Sequence, residues 1–268
     1  MLKLINMRNS FFLRRSELSN LIRKVVFYGL ICFLINGLLL SSQIFAKDTA
    51  SILKKMDAVG KYKTAKMTAT MQIINKKGEK TSMSLISYER KKGEKTLMRF
   101  TAPARLKGTA ILSVGDNIWY YNNRTNRVRL LSKSAKKSRM MGSSFSYEDI
   151  SANYSKNFTA EILKETKKKY KLKLIPKDKG KSYKYILASV NKSNYVAEKM
   201  EYYNHKDLLY KVLRSEKVKK IKGHLVPLVM TMKEIGNQKV TNFEIDEDKV
   251  EFDLKLKKKL FSERYLKR

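Results

Sequence analysis

The sequence predicts a mainly β (α+β) fold built on one curved antiparallel sheet of about 11 strands, with a few short helices. Short segments in which apolar and polar residues alternate recur from residue 64 to residue 245, and turns rich in Gly, Asn, Lys and Asp separate them. A single sheet of so many strands does not stay flat, because strand twist makes it curl or close. We therefore expect a curved sheet or partly open barrel, with helices against its concave side.

Residues 1–46 have the pattern of an export signal. Basic residues precede an apolar run over 25–40, and polar residues 41–43 lead to small Ala46 as the last residue before cleavage. The alternative is an uncleaved anchor in the inner membrane, since about 20 apolar residues can span a bilayer. We predict a cleaved signal peptide, residues 1–46, and one periplasmic domain, residues 47–268.

Cysteine and charge limit the classes of protein. The one cysteine, Cys32, lies in the apolar run, so the domain has no disulfide and depends on its core. The net charge is +35 for the chain and +30 for residues 47–268, but 45 of the 59 basic residues are lysines and they are spread along every segment. Nucleic-acid recognition favours arginine forks and aromatic platforms, so we expect no nucleic acid. Attraction to an anionic membrane surface explains the excess equally well.

The elements follow in order along the domain. An apolar stripe of Ile52, Leu53, Met56 and Val59 predicts one short amphipathic helix that ends at Gly60. The segments predicted as strands are 64–73, Thr81–Arg90, Leu97–Thr101, Thr109–Val114, Ile118–Tyr121, Arg127–Leu131, Thr159–Lys164, Tyr170–Ile175, Tyr183–Val190, Val196–Tyr203, Leu208–Glu216, Leu225–Met232 and Lys239–Ile245.

One stretch between the two groups of strands, Arg139–Ile150, follows neither a strand nor a long helix period. It combines two methionines, a glycine, two aromatic residues and a carboxylate pair. Ser146 and Asp149 have the spacing of a helix-start cap. The stretch is expected to be a loop or short helix that packs closely, either on a permanent core or over a cavity that opens.

Catalytic chemistry is not predicted. The two histidines, His205 and His224, lie in or beside predicted turns, and the domain has no cysteine, so we expect neither a metal nor another cofactor. The serines after Gly142 lack the second glycine of a nucleophile elbow. Adjacent Glu148 and Asp149 would point in different directions on a helix. We predict that the protein is not an enzyme.

A curved sheet without catalytic groups can still hold an apolar ligand. The alternative is a solid core, which most such apolar stripes form, although ten methionines in residues 47–268 suit a wall that adapts to variable ligands. The side chains expected to face inward are Met67, Met71, Ile73, Met83, Leu85, Leu97, Ile111, Trp119 and Tyr121.

Several short motifs follow one another along the domain. They are Phe100-x-x-Pro103, Lys107–Ala110, Trp119-x-Tyr121, Arg127–Arg129, Met141–Asp149, Lys211, Pro227-x-x-Met230-x-Met232, Thr241 and Phe261–Leu266. These motifs resemble the outer-membrane lipoprotein-sorting protein family, which is related in fold to the lipoprotein carriers LolA and LolB. The resemblance extends in order from about residue 47 to the C-terminus. It departs from the family at Asn122-Asn123, where a proline is frequent, and at Ser144, where an aspartate is frequent.

The resemblance implies a half-open β-barrel covered by short helices, whose cavity takes acyl chains of lipoproteins or other lipids. It makes Arg139–Ile150 part of the cover, with Met140, Met141, Phe145 and Tyr147 on its apolar underside. The implied role is a periplasmic carrier that moves such cargo toward the outer membrane. An inner-membrane transporter and an outer-membrane acceptor are the further partners considered.

Arginine placement suggests how the cover is held. Seven of the ten arginines in residues 47–268 fall between Arg90 and Arg139. Arginine offers a rigid fork that lysine lacks. We expect some of them to tie the sheet to the acids of the cover, and the alternative is exposure on turns. The residues of this predicted latch are Arg99, Arg127, Arg129, Arg139, Glu148 and Asp149.

Two other functions stay open at this point. One is an envelope sensor or adaptor that uses the same fold to bind lipidated or misfolded proteins without transporting them. The other is a cationic structural protein of the envelope with a solid core.

Overall fold

The computed structural model describes residues 49–59, 62–90, 94–149 and 153–268. The predicted signal peptide lies outside the described residues, as do Gly60 and the turn at residues 91–93. Helix α1 covers residues 49–58 and buries Ile52, Leu53 and Met56, which confirms the predicted stripe. In the described part of the chain, no helix has the length and apolar character needed to cross a membrane.

Thirteen strands form one antiparallel sheet, and each corresponds to a segment predicted as a strand. The sheet order is β6-β5-β4-β3-β2-β1-β13-β12-β11-β10-β9-β8-β7. The strands are β1 (Thr64–Ile74), β2 (Lys80–Arg90), β3 (Lys95–Ala102), β4 (Ala110–Val114), β5 (Asn117–Asn122), β6 (Arg127–Leu130), β7 (Phe158–Glu165), β8 (Lys169–Pro176), β9 (Tyr185–Asn191), β10 (Ala197–Tyr203), β11 (Leu209–Ile221), β12 (His224–Glu234) and β13 (Val240–Phe252).

The barrel is half open, because its edge strands β6 and β7 are not hydrogen-bonded to each other in the described sheet. These two edges are consecutive in the chain. The connection between them holds helix α2 (Lys133–Lys136), two 3₁₀ turns (Met140–Gly142 and Tyr147–Asp149) and helix α3 (Tyr154–Asn157). The predicted half-open antiparallel barrel with short helices is confirmed, and its thirteen strands match the thirteen segments predicted as strands.

Strand β1 shows why the sequence folds this way. Its burial alternates from Met67 through Ala69 and Met71 to Ile73, as expected for a strand with one face on the core. It pairs with β2 on one side and with β13 on the other. The pairing with β13 shifts register between Met67 and Ala69, a bulge that locally increases twist. Since β1 is central, this twist contributes to the curl of the whole sheet.

Two apolar clusters cover the concave face. One joins α1 to strands β7–β10 and β12, with Met56 and Met232 among its members. The other lies on β1–β5, with Met71 at its centre, and Met140 and Tyr147 of the connection pack on it. Phe145 packs against both clusters. The connection between the edge strands therefore lies over the concave face, where the two halves of the sheet meet.

The orientation of three residues expected to face inward is corrected. Leu97, Trp119 and Tyr121 lie in a separate cluster with Phe261 and Leu266. Their chain neighbours face the concave side, so these three face the convex side, where two C-terminal 3₁₀ turns cover them. The expectation was wrong because both faces of β3–β5 are apolar, so alternation alone does not tell which face is inside.

Candidate functional site

Residues 139–149, which we call the lid, form a tight loop closed on itself. Arg139 pairs with Ser146 in an isolated antiparallel bridge, and the Met140 amide donates to the Phe145 carbonyl at 2.7 Å. Met141 and Gly142 at the tip have φ of 52° and 79°, in the left-handed region. Glycine adopts that region without a steric penalty, so Gly142 supports the bend.

A cavity of about 240 Å³ lies between the lid and the concave face. Four of its lining residues are methionines, one from each of β1, β3, β12 and the lid. Their flexible thioether chains adapt to irregular apolar shapes. The apolar lining is Met67, Ala69, Met98, Met140, Phe145, Met230, Phe243 and Ile245.

Polar groups also face this cavity, and two of them lie side by side on β2. The Ser87 hydroxyl is buried and forms no hydrogen bond to a described residue. The Glu89 carboxylate accepts a hydrogen bond from the Tyr62 hydroxyl. Burial raises the pKa of Glu89, although the hydrogen bond from Tyr62 and the nearby Ser87 hydroxyl oppose this shift. The Ser87 hydroxyl thus lies close to the carboxylate but does not form a hydrogen bond with it.

The first residue and the tip of the lid are fastened to the end of β12 and to the turn that follows it. Arg139 donates from Nε and Nη2 to the two oxygens of Glu234, at 2.9 and 2.6 Å. Burial would raise the pKa of Glu234, but the hydrogen bonds from Arg139 and Asn237 outweigh it and leave that pKa below its ordinary value. Lys239 Nζ also donates to the Gly142 carbonyl at 2.9 Å. The bidentate pair thus joins the first residue of the lid to the end of β12.

The centre of the lid is tied to β13 through buried hydroxyls. The Ser144 amide donates to Thr241 Oγ1 at 2.8 Å, and this threonine hydroxyl donates to Ser144 Oγ at 3.2 Å. Both residues are fully buried. Ser144, one of the two departures from the family pattern, therefore has its hydrogen-bonding groups satisfied in the closed lid.

The acidic end of the lid contacts lysines, which corrects the expected pairing with arginines. Asp149 lies 3.2 Å from Lys211 Nζ of β11, and it accepts hydrogen bonds from the amide and hydroxyl of Ser146, both at 2.7 Å. The predicted Ser146–Asp149 cap is confirmed. Glu148 Oε2 lies 3.7 Å from Lys181 Nζ, while its Oε1 is buried without a hydrogen-bond partner in the described residues.

The arginines of the predicted latch lie elsewhere, with the exception of Arg139. Arg99 donates to the carbonyls of Gly108, Tyr265 and Leu266, and so ties the C-terminal turns to the convex face. Arg127 and Arg129 are exposed on β6. The reason is geometric: the acids of the lid point toward β11 and the β8–β9 connection, where the nearby cations are lysines.

The remaining predicted ligand residues lie at different depths. Met71 and Leu85 are fully buried in the inner cluster on which the lid packs, and neither lines the cavity. Met83, Met141 and Tyr147 line a separate open groove of about 580 Å³ beside the lid. Burial raises the pKa of Tyr147 to about 12, consistent with its position on the underside of the lid. The structure thus brings Met67, Met140 and Phe145 together at the cavity.

Sequence reasoning missed several residues of this site. Met98, Phe243 and Ile245 alternate on their strands and could have been found by extending the inward set to β3 and β13. Lys211, Met230 and Thr241 carry part of the family resemblance, which was the one available signal for them. No signal singled out Glu234, because its partner in the sequence lies 95 residues earlier.

A half-open antiparallel barrel with a lid over an apolar cavity defines a class of binding proteins, and comparisons with known proteins agree. A putative outer membrane lipoprotein-sorting protein domain from Vibrio parahaemolyticus is 26% identical, with a TM-score of 0.77, and covers 83% of this chain and 100% of its own. A DUF1329 family protein from Desulfovibrio piger is 25% identical, with a TM-score of 0.76 and coverage of 83% and 99%.

A LolA superfamily protein from Nitrosomonas europaea shares the fold at 22% identity, with a TM-score of 0.68 and coverage of 81% and 98%. None of these three names is that of an enzyme, and the fold supports a binding or carrier role in general. The search of curated proteins gave no match.

A family model described as "-like: Uncharacterized protein" matches residues 92–268, which is more than half of the chain. The chain belongs to that family. The resemblance to outer-membrane lipoprotein-sorting and LolA-like proteins is confirmed by the similar structures.

Proposed function

We propose that the protein is a periplasmic carrier that binds an acyl chain of a lipoprotein or lipid between the lid and the concave face, for transport toward the outer membrane. The observation that carries the proposal is the methionine-lined cavity under the lid. Each ligand methylene removed from water contributes about 0.8 kcal/mol, so one chain suffices for firm binding. The similarity to a lipoprotein-sorting protein supports the same cargo class.

The size of the cavity implies that the lid moves. Its volume of about 240 Å³ is smaller than that of ordinary ligand pockets, which span roughly 300–1,000 Å³. A complete chain therefore requires the lid to lift from the sheet. The buried, unpaired Glu148 Oε1 favours this motion, because leaving such a group without a partner costs about 1–3 kcal/mol that water relieves on opening.

Within this proposal the residues have distinct roles. Met67, Met140 and Phe145 contact the chain, while Arg139 and Asp149 hold the lid through Glu234 and Lys211. Release into the periplasm requires cleavage after residue 46, and delivery requires a donor and an acceptor at the two membranes. The lysine-rich surface supports approach to an anionic membrane.

Lipid analysis of the purified protein tests the proposal. We expect co-purified lipid by mass spectrometry and binding of a fluorescent acyl probe. Met230→Trp, which fills the cavity, should weaken probe binding at least tenfold. Leu208→Trp, which adds the same ring at an exposed turn, is the control and should not change it.

Transfer between vesicles separates carrier from sensor. Movement of the labelled lipid from donor to acceptor vesicles supports transport. Bound lipid without transfer would favour the sensor or adaptor function. Absence of both lipid and probe binding would overturn the proposal.

A further inference from the structure

The cavity under the lid has a polar site on its otherwise apolar wall. Ser87 pairs across the sheet with Met67 of β1 and with Met98 of β3, so its hydroxyl lies between two methionines that line the cavity. The residue is 5% exposed, and its hydroxyl has no hydrogen-bond partner in the described residues. A buried hydroxyl of this kind is costly and rare in native proteins. It is satisfied if a ligand supplies the partner.

Glu89 lies two residues further along the same face. Its carboxylate faces the cavity and accepts one hydrogen bond, from Tyr62. Within the described residues no lysine or arginine forms an ion pair with it. A carboxyl group has about four acceptor sites, so most of its capacity remains unused. Ser87 and Glu89 together thus present one hydroxyl donor and several acceptor sites to the same space.

We propose that this pair binds the hydroxyl group of a neutral lipid, such as a long-chain alcohol or an acylglycerol, whose chain lies along the methionines. This inference rests on the proposed carrier function and specifies its ligand. A ligand hydroxyl accepts from Ser87 and donates to Glu89, and therefore gives Ser87 its missing partner and Glu89 a second one. A plain hydrocarbon segment leaves the Ser87 hydroxyl without a partner.

The same site disfavours an acidic head group. Two carboxylates that share one site cannot both ionise, because like charges repel strongly in a low-dielectric environment. A fatty acid would have to be protonated to bind beside Glu89. A hydroxyl carries no charge and avoids this penalty. The polar site therefore selects among lipids with equal chains.

Three ligands with the same chain test the proposal on the full-length exported protein: 1-dodecanol, dodecyl methyl ether and dodecanoate. Their affinities are measured by displacement of 1-dodecylpyrene from the cavity. We expect dodecanol to bind about tenfold more tightly than the ether, since a net hydrogen bond contributes about 0.5–1.5 kcal/mol.

Variants of the two residues assign the effect to the pair. Ser87→Ala should weaken the alcohol and the ether alike, severalfold, because the oxygen of each accepts the Ser87 hydroxyl. Glu89→Met, which removes the acceptor, should reduce the preference for the alcohol over the ether to within about twofold, and Glu89→Gln should strengthen dodecanoate binding severalfold. Ser84→Ala, on the same strand with its side chain toward the opposite face, is the matched control and should leave all three affinities unchanged.

The outcomes separate the two proposals. Equal affinities for the alcohol and the ether, an alcohol preference that persists in Glu89→Met, or unchanged affinities in Ser87→Ala would overturn the polar site while bound pyrene probe still supports a carrier. Failure of the pyrene probe to bind to the folded wild-type protein would instead overturn the carrier function. Thermal melts establish that each variant is folded.

Discussion

Replacement of Arg139 by alanine should open the lid without unfolding the barrel. The lost contact is the bidentate pair with Glu234, whose N–O distances are 2.9 and 2.6 Å. Charged hydrogen bonds contribute about 1.5–3 kcal/mol, whereas exposed ion pairs contribute about 0.2–1 kcal/mol. The Arg139 side chain is 48% exposed and that of Glu234 is 9% exposed, so a value of about 1 kcal/mol is appropriate.

An energy of about 1 kcal/mol changes the equilibrium between closed and open lid about fivefold. Hydrogen exchange measured by mass spectrometry on a peptide that covers residues 139–149 reports this equilibrium directly and needs no ligand. We expect about fivefold faster exchange there and little change in the strands, because the ties from Ser144 and Asp149 remain.

Arg127→Ala is the matched control, since it removes the same side chain from an exposed position on β6. Lid exchange that is equally slow in the wild type and in both variants would refute the assignment of Arg139 as a fastening of the lid. Equal acceleration along all strands would show a global effect and would refute it as well.

Three further predictions follow from the same contacts. Phe145→Ala should lower the free energy of unfolding by about 2 kcal/mol and weaken acyl-probe binding, because the half-buried ring joins both inner clusters. Arg99→Ala should cost about 2 kcal/mol of stability with unchanged probe binding, since its carbonyl contacts lie on the convex face. The protection of the lid amides, which is their exchange rate divided by the intrinsic rate at the same pH, should be constant from pH 7 to about pH 5. It should weaken below the ordinary glutamate pKa of about 4.3, because the pKa of Glu234 is lowered in the closed lid.

Each has its own decisive result. Urea titration should show a similar loss of stability in Phe145→Ala and Arg99→Ala, so binding of the acyl probe is the measurement that distinguishes the two variants. A loss of probe binding in the Arg99 variant would contradict the division into two faces. For pH, a lowered carboxyl pKa stabilises the closed form above the unfolded value and ceases to do so as acid protonates it. This loss of protection at low pH should be absent in Glu234→Gln, and its persistence there would assign it to another group.

The sequence was sufficient to find the strands because most of them alternate between buried and exposed residues, and the others are short apolar segments between turns. In β1 and β2, buried residues alternate with exposed or partly exposed ones, and the predicted bounds lie close to the observed ones. In β4 the consecutive residues Ala110, Ile111 and Leu112 are all buried. Where both faces of a strand are covered, both sets of side chains are apolar, and the sequence does not tell which set faces the concave side. This explains the misplaced Leu97 and Trp119.

The site was less accessible to sequence reasoning than the fold. The lid was recognised because Arg139–Ile150 interrupts a regular pattern, and a pattern needs only neighbouring residues. Its fastenings depend on residues far away in the chain, such as Glu234 and Lys211. Arginine enrichment near the lid indicated an ionic latch, but composition carries no information on direction, and three of the four arginines point to other surfaces.

The strand order has a consequence for how the chain folds. Strands β1–β6 and β7–β13 each form a meander of neighbours, so pairing within each half requires only short loops. The one pairing between the halves joins β1 to β13, the first strand to the last. This contact closes the longest loop in the sheet. Such contacts form slowly, because the chain loses conformational entropy on closing the loop before the stabilising contacts between the strands are made. Each meander can therefore pair its strands without the other, and the cavity wall, to which both halves contribute, is complete only once β1 and β13 have paired.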